Sequence, residues 1–182
     1  FCLPGLGAAA EPESNALAGP VAGEVNHGPG FPDMESIRAA PLSDAVSSFT
    51  KGDLHGARHQ LSKTIKSRSL TTEELPRAQF LLGWINDRLG HYQLASAAFF
   101  QIRKLDTHPL REMAAFFEAR ADLRRGRLRT AISECDRYLV EFPNGNYEDE
   151  CHLVLADAHL ALGSLAIAIQ RYEAFLAEHP KD

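Results

Sequence analysis

A short pattern, Gly-x-[Leu/Tyr]-x-x-Ala, occurs four times in the 182-residue chain, at Gly52–Ala57, Gly90–Ala95, Gly126–Ala131 and Gly163–Ala168. The glycines are 38, 36 and 37 residues apart. Seven residues before each stands a small residue (Ala45, Gly83, Ala119, Ala156), and nine after each an apolar one (Leu61, Phe99, Cys135, Tyr172). Pro143 and Pro180 each follow their glycine by seventeen. A period of this size, built from two helical windows, defines a solenoid of stacked helix pairs. Small residues on both sides of a turn let two helices approach closely. The glycine relieves the backbone where the first helix ends, and the larger apolar residues fill the gap to the next pair. The expectation is an all-α solenoid of about four helix-turn-helix units, eight helices in all, over residues 42–182. The units fall at about 42–70, 71–107, 108–144 and 145–182. Thr71-x-x-Glu74 reads as a capping box, Pro109 as a first-turn proline and Asn146 as an N-cap.

Ahead of the repeats the character of the chain changes. Residues 1–10, FCLPGLGAAA, run from an apolar stretch into small residues, with Ala8 and Ala10 where a signal peptidase needs them and a cut before Glu11. They are expected to be the end of a signal peptide, with the protein exported and Cys2 removed with the leader. Residues 11–41 carry five prolines and four glycines with no sustained hydrophobic period. Such a segment buries too little surface to offset its ordering entropy and is expected to be a disordered linker. Over the whole chain, 45% hydrophobic residues suffice for a real core without disulfides or a metal. With 24 acidic against 19 basic side chains the net charge is −5, which argues against nucleic acid as a partner.

The repeat positions resemble the tetratricopeptide repeat from about residue 42 to 180, in units slightly longer than that family's. The family's early aromatic position in the first helix holds Pro41, Gln79, Ala115 and His152 instead. Unit 1 is expected to be the weakest, with a short first helix at about 42–51 and Ser69 where units 3 and 4 have proline. The resemblance implies that ligands lie along the concave face formed by the first helices. Carried over, those positions are Arg77, Phe80, Trp84 and Arg88 in unit 2, Met113, Phe116, Arg120 and Arg124 in unit 3, and Glu150, Leu153 and Asp157 in unit 4. Trp84, Arg88, Arg120 and Arg124 are the strongest contact candidates, since aromatic and arginine side chains carry most interface energy. The same residues at helical spacing also describe an ordinary packing face. The Asn-rich carboxylate clamp of the family's chaperone-binding members is missing, Asn86 being the one Asn in the body of any first helix.

Charge is segregated between the two rims. Arg124, Arg125, Arg127 and Arg129 cluster at one turn, and Glu148, Asp149 and Glu150 open the first helix of unit 4. Helix-terminal charge preference accounts for most of this. Arg127 and Arg129 open a helix, where that preference does not apply, and leave room for an acidic partner or anionic lipid. Cys135 and Cys151 form an even pair, but equal counting from a turn centred near residue 145 sets 151 opposite about 139. Two small buried thiols are therefore expected rather than a disulfide.

No catalytic constellation, cofactor motif or metal site emerges. His55 and His59 share a helix face without a third ligand, and His159 occupies a packing position beside Cys151-His152. The turn glycines follow helices and not strands, so they do not cradle phosphate.

Units 3 and 4, with Tyr138-Leu-Val-Glu-Phe-Pro143 and Tyr172-Glu-Ala-Phe-Leu, resemble helical repeats of bacterial envelope proteins. Two groups fit. One is envelope-assembly adaptors; the other is the superhelix of soluble lytic transglycosylases, which His108-Pro-Leu-Arg-Glu-Met resembles more. The expected function is a non-enzymatic scaffold binding a peptide or protein partner on its concave face, periplasmic or envelope-associated. The alternative is a positioning module of a longer peptidoglycan enzyme. The last helix carries Ile167, Ile169, Tyr172, Phe175 and Leu176. An apolar face of that size is expected to be covered by further chain or by an oligomer contact.

Overall fold

The computed structural model describes residues 42–178. The expected leader end (1–10) and linker (11–41) lie outside those residues, as does Pro180. Eight helices follow one another: α1 (Ser43–Thr50), α2 (Leu54–Lys66), α3 (Glu74–Arg88), α4 (Tyr92–Arg103), α5 (Arg111–Arg124), α6 (Leu128–Glu141), α7 (Glu148–Ala161) and α8 (Leu165–Glu178). Each packs against its neighbours in sequence, and α5 also touches α7, so the first helices of successive units lie side by side. The architecture is the expected all-α solenoid. No helix among the described residues is long and apolar enough to cross a membrane.

The four pattern glycines end α1, α3, α5 and α7 with φ between 76° and 80°. At Gly52 the glycine N–H donates to the Phe49 carbonyl at 2.9 Å, and the Asp53 N–H reaches back to Ser48 at 2.9 Å. The same two bonds recur at Gly90, Gly126 and Gly163. This closure satisfies the last carbonyls of each helix and needs a left-handed residue at its corner. A Cβ at any of these four sites would meet nothing within 4 Å, so backbone angle alone demands glycine there.

Helix starts follow the sequence less closely. The capping box holds: Thr71 N–H donates to the Glu74 carboxylate at 2.9 Å, and Glu74 N–H to Thr71 Oγ1 at 3.2 Å. Pro109 does not occupy the first turn of α5, which begins at Arg111 with Leu110 as its cap. Instead the Leu110 N–H is held by His108 Nδ1 at 3.1 Å. Asn146 is not the cap of α7 either, because Tyr147 takes that place. The Asn146 N–H and side-chain amide both donate to Glu112 on the preceding unit, the former at 2.5 Å. A tertiary acceptor has outcompeted the local capping geometry.

Packing along the solenoid runs through aromatic rings. Phe49 of unit 1 meets Trp84 edge-on at 5.3 Å between centroids. Phe80 meets Phe99 at 5.3 Å and Phe117 at 5.7 Å. Phe116 stacks on Tyr147 of unit 4 at 4.7 Å with the rings nearly parallel. Unit 2 carries a phenylalanine ring at the glycine-plus-nine position and the smallest residue, Gly83, at glycine-minus-seven. A Cβ on Gly83 would lie 2.9 Å from the buried Phe99 ring. The other units, with Leu61, Cys135 and Tyr172 at glycine-plus-nine, have alanine at glycine-minus-seven.

Cys135 and Cys151 are both free and fully buried. Cys135 nonetheless lies close enough to Cys151 to push its thiol up. This corrects the register expected from equal counting. The connection between α6 and α7 is not a symmetric bend: Phe142 has φ −130° and ψ 67°, and Asn144 is left-handed. At the far end, α8 leaves Leu165, Ile167, Ile169 and Leu176 exposed by 43–57%, with Tyr172 and Phe175 half-buried.

The Gly83–Phe99 fit yields a test. Gly83→Ala should lower unfolding stability by roughly 1–3 kcal/mol from overpacking, less up to about 1 kcal/mol regained in helix propensity. Adding Phe99→Leu should recover part of that loss, a positive coupling readable in a urea-denaturation double-mutant cycle. Strictly additive losses would mean that the ring does not set the size of residue 83.

Candidate functional site

The first-helix face of units 2 and 3 is organised around one buried carboxylate. Asp87 lies in the last turn of α3, and its Oδ2 accepts from Arg120 Nη2 at 3.1 Å and from Arg124 Nη1 at 2.6 Å. Arg120 and Arg124 are one turn apart on α5, so both project toward the same neighbour. Each guanidinium also lies over a ring: Arg120 is 4.2 Å from the centroid of Phe117, and Arg124 is 5.9 Å from that of Tyr92. Arg88, next to Asp87 in sequence, is exposed and sits 4.6 Å over Trp84. Two guanidinium groups thus share one carboxylate oxygen, and the charge of Arg88 is felt at Arg120. Burial, reinforced by the charges of Arg124 and Arg88, brings Arg120 down to about 10 against the opposing pull of Asp87. It remains a cation at neutral pH.

The expected contact residues divide by exposure. Phe80, Trp84, Met113 and Phe116 are buried, Trp84 at 7%. This corrects the expectation that Trp84 and Phe116 present their rings to a ligand. They join one unit to the next, because Phe49 and Tyr147 from adjacent units cover them. Arg77 is half-buried and bonds Glu73 one turn earlier at 2.9 Å. In unit 4, Glu150 is exposed, Leu153 half-buried, and Asp157 accepts a short hydrogen bond from the Tyr172 hydroxyl. The structure therefore brings Arg88, Arg120 and Arg124 together and leaves Arg77 and Asp157 in separate local pairs. Of the arginine rim, Arg124 is drawn to Asp87 and Arg125 to Asp122 at 3.2 Å, whereas Arg127 and Arg129 stay exposed.

A second polar cluster, on the other side of α5, did not emerge from the sequence. Glu118, Asp122 and Glu134 are all buried between α4, α5 and α6. Arg103 Nε bonds Glu118 at 2.5 Å, and the Ser96 hydroxyl donates to Asp122 at 3.1 Å. Glu134 is pushed up to about 8, first by burial and then by the charges of Glu118 and Asp122. Its carboxyl keeps a proton at neutral pH. A third site joins units 3 and 4: Glu112 accepts from the Tyr138 hydroxyl at 2.8 Å, and the Tyr138 oxygen accepts from the Tyr147 N–H at 2.9 Å. Among the described residues, no three His, Cys, Asp or Glu side chains form a group that could hold a metal ion, and His55 and His59 are exposed.

Asp87 carried a legible signal. Three residues before the pattern glycine the other units have Phe49, Leu123 and Leu160. An acid at an apolar position asks for a cation, and the two arginines of α5 supply it.

Comparison with known proteins agrees with this architecture. Residues 87–146 match the family model of the tetratricopeptide repeat. The fold is that of the tetratricopeptide repeat. Similar solved structures include the nearly identical TPR-like repeats of a Podosopora anserina kinesin light chain, 18% identical, covering 82% of this chain and 77% of the other at a TM-score of 0.61. A variant of those repeats is 19% identical with the same coverage and TM-score. No curated protein matches the chain. The matched stretch, 87–146, begins at the buried aspartate and ends at the asparagine bound to Glu112, so it contains the centres of both junctions.

The raised carboxyl of Glu134 sets a pH dependence. Its folded value lies above its unfolded one, so it favours folding fully below about pH 4.5 and loses that contribution as pH rises through about 8. Glu134→Gln, which cannot ionise, should match the native chain near pH 5 and exceed it near pH 9 by roughly 1–2 kcal/mol, allowing for residual solvent contact. Thermal melts across that range measure the gap. A gap that stays constant with pH would refute the buried proton.

Proposed function

We propose that this tetratricopeptide-repeat solenoid is a non-catalytic scaffold that receives an acidic segment of a protein partner on its first-helix face. The fold itself supports protein–protein interaction in general. What supports the finer reading is the excess of guanidinium over carboxylate at Asp87. Arg120 and Arg124 share a single oxygen of one acid, and Arg88 beside them has an aromatic ring but no acid among its described contacts. Planar guanidinium groups held by stacking lose little freedom when they bind a second carboxylate, and paired N–H donors suit its two oxygens. Affinity would come from several such pairs along the segment, because each alone is weak at an exposed site. We also propose export to the cell envelope, on the Ala8-x-Ala10 pattern alone; N-terminal sequencing of the protein from its own cells should begin at Glu11, and a chain that keeps residues 1–10 would count against it.

Fluorescence anisotropy with a labelled glutamate-rich peptide tests the binding reading, beside a glutamine-rich control and a DNA oligonucleotide. The acidic peptide should bind with an affinity that falls as salt rises, and the glutamine peptide should not. Arg88→Glu, an exposed change, should weaken binding about tenfold or more while leaving helicity unchanged. Equal binding by that variant, or stronger binding of the oligonucleotide, would overturn the reading.

A further inference from the structure

The junction between the second helix of one unit and the first helix of the next recurs three times with the same spacing of buried residues. Nine residues past one turn glycine and twelve before the following one stand Leu61 with Ala78, Phe99 with Ala114, and Cys135 with Cys151. All six have 0% exposure, on helices that pack directly together. In the first two junctions these places hold one large apolar side chain and one alanine. In the third, two thiols take both places. Cys135 is the group that acts most strongly on the Cys151 thiol, in keeping with two fully buried side chains at equivalent places on helices that pack together.

We propose that Cys135 and Cys151 are a disulfide site, closing to a covalent staple between units 3 and 4. The bond would tie α6 to α7 and enclose the fifteen residues between them, which include Tyr138 and Tyr147 of the Glu112 junction. The oxidant by class is a small-molecule disulfide, RSSR. One cysteine thiolate attacks it, forming a mixed disulfide and releasing one RS⁻. The second cysteine thiolate then attacks the protein sulfur of that mixed disulfide and expels the other RS⁻. The two released thiolates take up the two protons lost by the cysteines, so two protein thiols are oxidised and one RSSR is reduced to two RSH. In the closed junction the pair is shielded from solvent, and the neighbouring Cys135 thiol together with burial pushes the Cys151 thiol up. Exchange therefore runs while unit 4 is open, during folding or by opening of a unit at one end of the described repeats, where contacts are made on one side only. Once formed and enclosed, the bond is protected by the same burial.

The full chain carrying Cys2→Ser retains these two thiols alone. It is refolded from urea in a buffer of glutathione and glutathione disulfide, quenched in acid, alkylated after denaturation, and analysed by intact mass and peptide mapping. The expected product is a monomer about 2 Da lighter, resistant to alkylation, with the peptides containing Cys135 and Cys151 joined. It should melt roughly 5–10 °C above the same chain refolded in dithiothreitol. Cys135→Ala and Cys151→Ala variants should show neither change. Starting from folded reduced chain, closure should accelerate in urea below the main transition. Two fully alkylated thiols, stable glutathione adducts at either cysteine, or a disulfide only between chains would each overturn the proposal.

Discussion

A helix pair has an apolar face on both sides and can bury only one against itself, so each unit of this chain depends on the next. That dependence is set by the turn between the paired helices. The left-handed glycine and its two backbone bonds end the first helix at the same angle four times over. Because the second helix always departs in the same direction, the residues that face the following unit fall at fixed distances from the glycine. Phe80, Phe99 and Phe117 can then interlock across α3, α4 and α5, and Phe116 can stack on a tyrosine from the unit beyond. A change of angle at one turn would displace every later contact, whereas a change of side chain at one junction is answered locally, as Gly83 answers Phe99.

The polar residues at the junctions depend on the same regularity. Asp87 is buried because it lies at a position that holds an apolar residue in the other units, and it is tolerable there because the α5 arginines arrive one turn apart at the correct height. Removing its partners would leave a buried charge without compensation, which costs more than the pair contributes when intact. Glu118 and Asp122 meet the same demand differently: Arg103, Arg125 and Ser96 answer them from neighbouring positions, and Glu134 joins them as a protonated acid. Unit 3 is therefore bordered by polar contacts on two sides, while unit 1 meets unit 2 through Phe49 on Trp84 and other apolar packing.

Most of the fold was legible because spacing encodes it. A glycine in the left-handed region, small residues at seven before and five after, and an apolar residue at nine after are each consequences of one turn repeated. Exposure was less legible. Trp84 and Phe116 lie on the helix face from which a ligand-binding surface would be read, yet Phe49 and Tyr147, remote in sequence, cover them. Helical periodicity states which residues share a face and not what another unit brings to it. Asn146 and Pro109 failed for a related reason: capping preferences are worth about 1 kcal/mol, and Glu112 and His108 offered better-placed partners. The cysteine register was misread by treating a connection that contains left-handed Asn144 as a symmetric bend, although comparison with the two other junctions places the pair correctly.

The contrast between Arg88 and its neighbours bears on what the arginine group can do. Arg120 and Arg124 are committed to Asp87, and their stacking on Phe117 and Tyr92 fixes the planes of the guanidinium groups. An arriving carboxylate meets donors already oriented, and the positive charge it meets exceeds what Asp87 neutralises. Arg88 is exposed and held by Trp84, so its charge can be engaged without disturbing a buried pair. The buried aspartate thus positions cations that it does not fully neutralise. A face built wholly of matched ion pairs would hold the units together equally well but would have no electrostatic preference for an acidic partner over a neutral one.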